Sequence, residues 1–380
     1  MPTPAPFKSL AFATASLLLL SAGVASAQSS SPNTPPPAFP RSATPPPSRP
    51  AADMQAVLDA QSSLGAKPIE LLTPAEARLQ PSPADGVKAV LKAQGRLTPP
   101  DPSITTREFS YSPDPASKVR VYFPPNVDSG ARKPVIVYFH GGGWVIADLD
   151  TYDATPRLLS QRLNAIVVSV AYRHSPEHCF PSQQLDAKYA YEWAMKQAAG
   201  WHGDRSLVIV AGESAGGNLA VNVAIHARNA DRVKPKAILA VYPIASGDPA
   251  TPSKLAYANA KPLNTPMLQW FTHYVVQTPD DTKDPRFDLT KADLLGLHPV
   301  TIINAEIDPL RDDGALLEQA LRAQGVRVER RVFPGVTHEF FGMGLAVRGA
   351  YDAEAYAVER LRTALDIIYP GEKGSFSKGK

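Results

Sequence analysis

The residues Leu207-Val208-Ile209-Val210-Ala211-Gly212-Glu213-Ser214-Ala215-Gly216-Gly217-Asn218 carry two secondary structures and the junction between them. The apolar run Leu207 to Ala211 reads as a buried strand, and Ala215 to Asn229 has helical periodicity. Gly212-Glu213-Ser214-Ala215-Gly216 therefore sits where a strand must turn sharply into a helix. Such a turn pushes the serine hydroxyl out of the sheet and is crowded enough to want small residues two positions either side. Gly-x-Ser-x-Gly alone occurs by chance in roughly one chain in ten of this length. Its position gives it meaning: an exposed hydroxyl with a helix N-terminus behind it, where a developing oxyanion is favoured.

The flanking sequence repeats the strand-then-helix rhythm. Pro134 to Phe139, Ala165 to Ala171, Ala237 to Val241 and Val300 to Ala305 read as buried strands. Val326 to Phe333 alternates apolar and charged residues, as a strand nearer a sheet edge does, and Thr105 to Ser110 with Lys118 to Phe123 alternates like a hairpin. Helical stretches fall at Ser182 to Ala199, Arg311 to Gln324 and Ala350 to Ile368, with two more, Asp53 to Leu64 and Pro83 to Leu97, ahead of the first strand. This order predicts an α/β fold: a mostly parallel central sheet with helices on both faces. Ser246 to Leu297 breaks the rhythm. It is rich in Pro and Asp, carries Trp270, Phe271 and Tyr274, and reads as an insertion that, with the early helices, caps the strand ends.

Three further segments carry chemistry. His140-Gly141-Gly142-Gly143-Trp144 follows a central strand, and its glycines leave backbone N–H groups free to meet a tetrahedral oxyanion, joined by the amide of Ala215. His140 itself reads as part of that loop rather than as a base. A nucleophilic serine in this arrangement takes a carboxylate and then a histidine from loops after later strands. Asp308 follows the strand Val300 to Ala305, and His338 follows Val326 to Phe333. Asp308 also fits a helix N-cap with Pro309 at the first helical position, and one carboxylate can serve both purposes. Asp312 and Asp313 fall inside the helix, and His202, His226, His273 and His298 lack the placement after the final strand.

Taken together, His140 to Trp144, Tyr172-Arg173 with Pro176-Glu177-His178, Gly212 to Asn218, Tyr242-Pro243, Asp308 to Gly314 and Pro334-Gly335 with His338 resemble the hormone-sensitive lipase family of esterases. That family is a branch of the α/β-hydrolase superfamily. The resemblance spans roughly Arg120 to Leu365 and implies a Ser214–His338–Asp308 triad. It further implies an oxyanion hole from Gly141, Gly142 and Gly143, chiefly the last two, with Ala215. An N-terminal cap, no metal or organic cofactor, and cleavage of short- to medium-chain acyl esters also follow from it. Three departures from the family pattern are Glu213 where Asp is common, the pair His174-Ser175 where Leu-Ala is common, and Glu339 where Gly is frequent. Glu339 places a carboxylate beside the base, where it would favour the charged imidazole.

The chain of 380 residues is 44% hydrophobic, enough for a large core. A formal net charge of +3, with no long run of like charge, makes no case for nucleic acid. The single cysteine, Cys179, permits no internal disulfide; in His178-Cys179-Phe180-Pro181 it reads as a structural thiol. Residues 1–27 read as a secretory signal: Lys8, an apolar stretch over Leu10 to Val24, then Ala25-Ser26-Ala27 before Gln28. No cysteine follows for lipid attachment and no Arg pair precedes, so the general secretory route to a periplasm or the medium is expected, with no stable membrane insertion after processing. Residues 28–51, with Pro35-Pro36-Pro37 and Pro45-Pro46-Pro47, read as a Pro/Ser-rich disordered linker. The hydrolase domain is expected over 52–370, its cap from about 52–100 and part of 246–297, with a disordered tail over 371–380. Alternatives remain: the same triad acting on an amide, lactone or carbamate, a non-catalytic ligand-binding protein on this fold, or a cell-envelope interaction module. Oligomeric state is not encoded legibly.

Overall fold

The computed structural model describes residues 49–127 and 130–366. The expected signal segment, nearly all of the Pro-rich linker and the tail lie outside these described residues. Eight strands form one sheet: β1 (Thr105–Ser110), β2 (Lys118–Phe123), β3 (Lys133–Phe139), β4 (Ile166–Val170), β5 (Gly203–Glu213), β6 (Ala237–Val241), β7 (Val300–Ile307) and β8 (Val328–Thr337). Their spatial order is β1-β2-β4-β3-β5-β6-β7-β8. β1 and β2 pair antiparallel, as do β2 and β4, and every pairing from β4 across to β8 is parallel. The hairpin and the mostly parallel sheet expected from the sequence are both present, and β8 is the edge strand its mixed pattern suggested.

The helices are α1 (Ala52–Ser63), α2 (Pro74–Ala77), α3 (Pro83–Ala93), α4 (Ala154–Leu163), α5 (Ser182–Gln197), α6 (Ala215–Asn229), α7 (Pro252–Ala256), α8 (Thr265–Val275), α9 (Arg311–Ala323) and α10 (Arg348–Ala364). Strand side chains alternate between faces, so β3 splits its five apolar residues between two cores. Val135, Val137 and Phe139 pack with Tyr191 of α5, Leu219 of α6 and Leu317 of α9. Ile136 and Tyr138 pack with Met54 of α1, Leu159 of α4 and Leu361 of α10. At about 1.5–3 kcal/mol per fully buried large aliphatic side chain, these two layers are the dominant stabilising term.

Register places the site. Phe139 of β3 lies opposite Gly212 of β5, Glu213 opposite Val241 of β6, and Ile307 of β7 opposite Thr337 of β8. The five chain segments leaving these strands thus emerge side by side at the carboxyl ends of a parallel sheet, where ligands bind in such folds. Two pieces roof that end. The first is α1 to α3, in which α1 and α3 approach closely enough that a Cβ on Gly86 would fall 2.6 Å from the Val57 carbonyl oxygen. The second is α7 and α8, pinned below by a buried ion pair between Lys254 and Asp313 of α9 at 2.9 Å.

α4 and α8 were not legible as helices. α4 carries Pro156 in its first turn, where Pro removes no hydrogen bond. In α8 the Asn264 side chain accepts from the amide of Met267 at 2.7 Å and Pro266 stands in the first turn, a start obscured by the surrounding Pro and Asp residues.

Candidate active site

Ser214 stands at the strand-to-helix junction with φ +55° and ψ −118°, a strained conformation for a residue with a Cβ. Crowding enforces it. A Cβ on Gly212 would meet the Gly216 carbonyl oxygen at 2.1 Å, and one on Gly216 would meet that of Phe139 at 2.0 Å. The turn is fixed from outside as well: the Ser214 amide donates to Val241 O at 2.8 Å, and buried Asn218 donates to Ile244 O and Phe287 O.

Three side chains from three loops meet here. His338 Nε2 lies 3.0 Å from Ser214 Oγ, and His338 Nδ1 lies 2.8 Å from Asp308 Oδ2. The network assigns the tautomer: Nδ1–H donates to Asp308, leaving Nε2 to accept from the serine. Asp308 is wholly buried and divides its oxygens, Oδ1 accepting the Leu310 amide at 2.8 Å just before α9 begins. Burial pulls the pKa of His338 down, but the charge and hydrogen bond of Asp308, reinforced by Glu339 and Glu213, outweigh it and leave it above the ordinary value. Asp313 points elsewhere, accepting the amides of Ala245 and Ser246 at 3.0 Å each.

The glycine loop runs past the serine. Gly142 and Gly143 line the same cavity as Ser214 and His338. Gly141 lies behind them: its carbonyl accepts from Tyr172 Oη at 2.9 Å and meets His140 Nδ1 at the same distance. Gly142 has φ +89°, and a Cβ there would fall 2.2 Å from the Ile146 carbonyl oxygen. Gly143 has φ +56° and lies against the Phe271 ring. A Gly142→Ala variant must displace the loop, so kcat is expected to fall about 10²- to 10³-fold, the cost of losing one oxyanion donor. Gly200→Ala, at a site with open space around it, should leave kcat unchanged in the same assay.

His140 is wholly buried and stacked on Tyr172, ring centroids 4.4 Å apart, and His174 meets it edge-on at 5.7 Å. Burial lowers both, to about 4 for His140 and about 3 for His174. Neutral in the fold, they take up protons only in the unfolded chain as pH drops below about 6.5, so each subtracts stability between pH 6.5 and its folded value. His174→Leu removes one such group. Relative to the parent, it is expected to gain on the order of 2 kcal/mol on going from pH 7 to pH 4.5. Urea unfolding at both pH values measures this, and equal pH dependence in the two proteins would contradict it.

The cap is bolted to this floor. Arg78, just after α2, donates to Val145 O and Ser175 O at 2.8 Å each and forms a two-pronged ion pair with Glu177 at 2.8 and 2.7 Å. Asn264 donates to Glu70 and Trp270 Nε1 to Leu72 O, both at 2.9 Å, tying α8 to the N-terminal helices. Together they enclose a mostly apolar cavity of about 300 Å³ over Ser214, with Ile69, Leu263, Met267 and Phe271 in its walls. Residues 136–342 match the family described as alpha/beta hydrolase fold. The chain is 37% identical over 291 residues to carboxylesterase NlhH of Mycobacterium tuberculosis, spanning 74% of this chain and 91% of that one.

The chain belongs to the hormone-sensitive lipase family of α/β-hydrolases. It is also 32% identical over 321 residues to an ethyl acetate hydrolase of Pseudomonas putida, covering 83% and 98% of the two chains. Among solved structures, a thermostable esterase from Pseudomonas putida superposes with TM-score 0.74 at 28% identity, over 86% of this chain and all of that one. Against that background the departures noted in the sequence acquire places. Glu213 lies behind the serine, accepting from Tyr138 Oη and Tyr242 Oη at 2.5 Å each, and burial pushes it up to about 7. Glu339 opens onto the cavity and accepts from Tyr152 Oη at 2.6 Å. Nothing in the local sequence marks Tyr152 and Arg78, because their partners lie 187 and 99 residues away. Among the described residues, no cluster of three or more His, Cys, Asp or Glu side chains is arranged to hold a metal ion.

Proposed function

We propose that this protein is a serine carboxylesterase hydrolysing short- to medium-chain acyl esters through an acyl-enzyme on Ser214. The observation that carries the reading is the hydrogen-bonded series Ser214–His338–Asp308 on the floor of the capped cavity. As Ser214 Oγ bonds to the ester carbonyl carbon, its proton passes to His338 Nε2. Asp308 holds the imidazole in the tautomer that can receive that proton. The carbonyl electron pair moves onto oxygen, which in this reading accepts from the amides of Gly142, Gly143 and Ala215. Collapse expels the alcohol, which takes the proton from His338; water repeats the sequence and frees the acid. The names of the relatives, a carboxylesterase and an ethyl acetate hydrolase, support ester bonds over amides.

A 300 Å³ cavity walled by cap side chains suits a small ligand. With p-nitrophenyl esters from acetate to palmitate, kcat/KM is expected to peak at six carbons or fewer and fall steeply beyond about ten; a maximum at palmitate would overturn the chain-length assignment. We assign residues 1–27 as an export signal on their sequence pattern. Expression of the full chain in a bacterial host, with the N-terminus of the mature product sequenced, is expected to give Gln28. Among the described residues, no helix is long and apolar enough to cross a membrane.

A further inference from the structure

Glu339 follows the base directly and has no part in the mechanism above. Its backbone is left-handed, φ +68°, where glycine rather than glutamate is at ease. The cost is offset by what the side chain reaches. Its Oε2 accepts from Tyr152 Oη at 2.6 Å, and both residues line the cavity that holds Ser214 and His338. Tyr152 is itself fixed against the glycine loop: a Cβ on Gly141 would fall 2.2 Å from its hydroxyl. A phenol from the loop after β3 thus grips a carboxylate from the loop after β8, across the site.

The groups around His338 are few. Asp308 takes Nδ1, Ser214 faces Nε2, and the Tyr242 ring covers one side with centroids 4.5 Å apart. Two further carboxyls act on it through space, Glu213 and Glu339. They also act on each other, so one proton between them relieves the repulsion. Both carboxyls accept from phenols and both are raised by burial, but Glu213 has no exposed surface and is pushed up to about 7, whereas Glu339 opens onto the cavity and is drawn back down by His338 and Tyr152; the charge therefore resides on Glu339.

We propose that Glu339, gripped by Tyr152, is a positioning residue for the base: its carboxylate stabilises the imidazolium that His338 becomes on taking the Ser214 proton. It shares with Asp308 a task that triads ordinarily leave to one carboxylate. No proton reaches Glu339 in the cycle; it acts by charge alone. The inference rests on the reading of Ser214 and His338 as nucleophile and base.

The test is kcat/KM for p-nitrophenyl butyrate from pH 5 to 9 on the parent, Glu339→Gln, Glu339→Gly, Glu339→Asp and Tyr152→Phe. Removing the charge makes the imidazolium less favourable. The acid limb is expected to move down by about 0.5–1 pH unit in the Gln and Gly variants. At the plateau, kcat should fall roughly three- to tenfold with KM little changed. Asp keeps the charge and should keep most of the parent profile, while Tyr152→Phe should shift the same way by less. Glycine relieves the left-handed backbone, and a melting temperature near the parent's shows that a loss in Glu339→Gly does not come from failure to fold. An acid limb and kcat matching the parent in both Gln and Gly variants overturn the proposal. Ser214→Ala separates the two layers: if it keeps parental activity, the nucleophile reading fails first; if it is dead while Glu339→Gln matches the parent, only this inference fails.

Discussion

Ser214→Ala is expected to lose on the order of 10⁶-fold in kcat, the scale seen when a serine hydrolase loses its nucleophile. The substitution removes only Oγ and its 3.0 Å contact with His338 Nε2. The backbone strain at φ +55° stays, because alanine also carries a Cβ. The melting temperature should therefore remain near that of the parent. Ser214→Gly provides the complement: equally inactive, it relieves a conformation that costs on the order of 1–3 kcal/mol and should melt several degrees higher. Activity and stability moving apart in this way would show that the junction is strained for the sake of the hydroxyl. Ser214→Gly melting below the parent would mean that the Gly212 and Gly216 contacts, rather than strain, set the stability of the turn.

Asp308→Asn is expected to lower kcat by about 10⁴-fold with little change in fold. Asp308 divides its two oxygens between a backbone amide and the imidazole. Oδ1 accepts the Leu310 amide, so an asparagine would keep its carbonyl oxygen there and present its NH₂ toward His338 Nδ1. Nδ1 would then have to accept, moving the ring proton to Nε2. An Nε2–H cannot take a proton from Ser214. Because this loss is one of tautomer, a partial return of activity is expected at high pH, where serine ionisation lessens the need for the base. A variant within tenfold of the parent at neutral pH would contradict the assignment of Asp308.

The parts of this architecture that could be read from sequence were those whose cause is local. Buried parallel strands show as short apolar runs, and β6 appears at the very residues its pattern marks, Ala237–Val241. The turn at Ser214 announces itself because its crowding excludes side chains at Gly212 and Gly216. Asp308 and His338 could be selected by chain order after β7 and β8, and the structure brings both to the serine. What stayed hidden depends on contacts between distant segments. Arg78 looks like any exposed helix-end arginine until the cap folds over Val145, Ser175 and Glu177. The direction in which Glu339 points is decided by Tyr152, and no spacing rule links the two. The cap region 246–297 was visible as an interruption, but α8 within it was masked by the surrounding Pro and Asp residues. Its aromatic residues then turn out to be roof: Trp270 is bonded to Leu72 O, and Phe271 is pressed on Gly143.

The central claim is that Ser214 becomes covalently acylated. The most direct measurement is to treat the folded protein with a fluorophosphonate, digest it, and locate the adduct by mass spectrometry. The account predicts one modified residue, Ser214, with labelling absent in Ser214→Ala and slowed by orders of magnitude in His338→Ala. Unmodified Ser214 in fully folded protein, or an adduct on another residue that persists in Ser214→Ala, would contradict it.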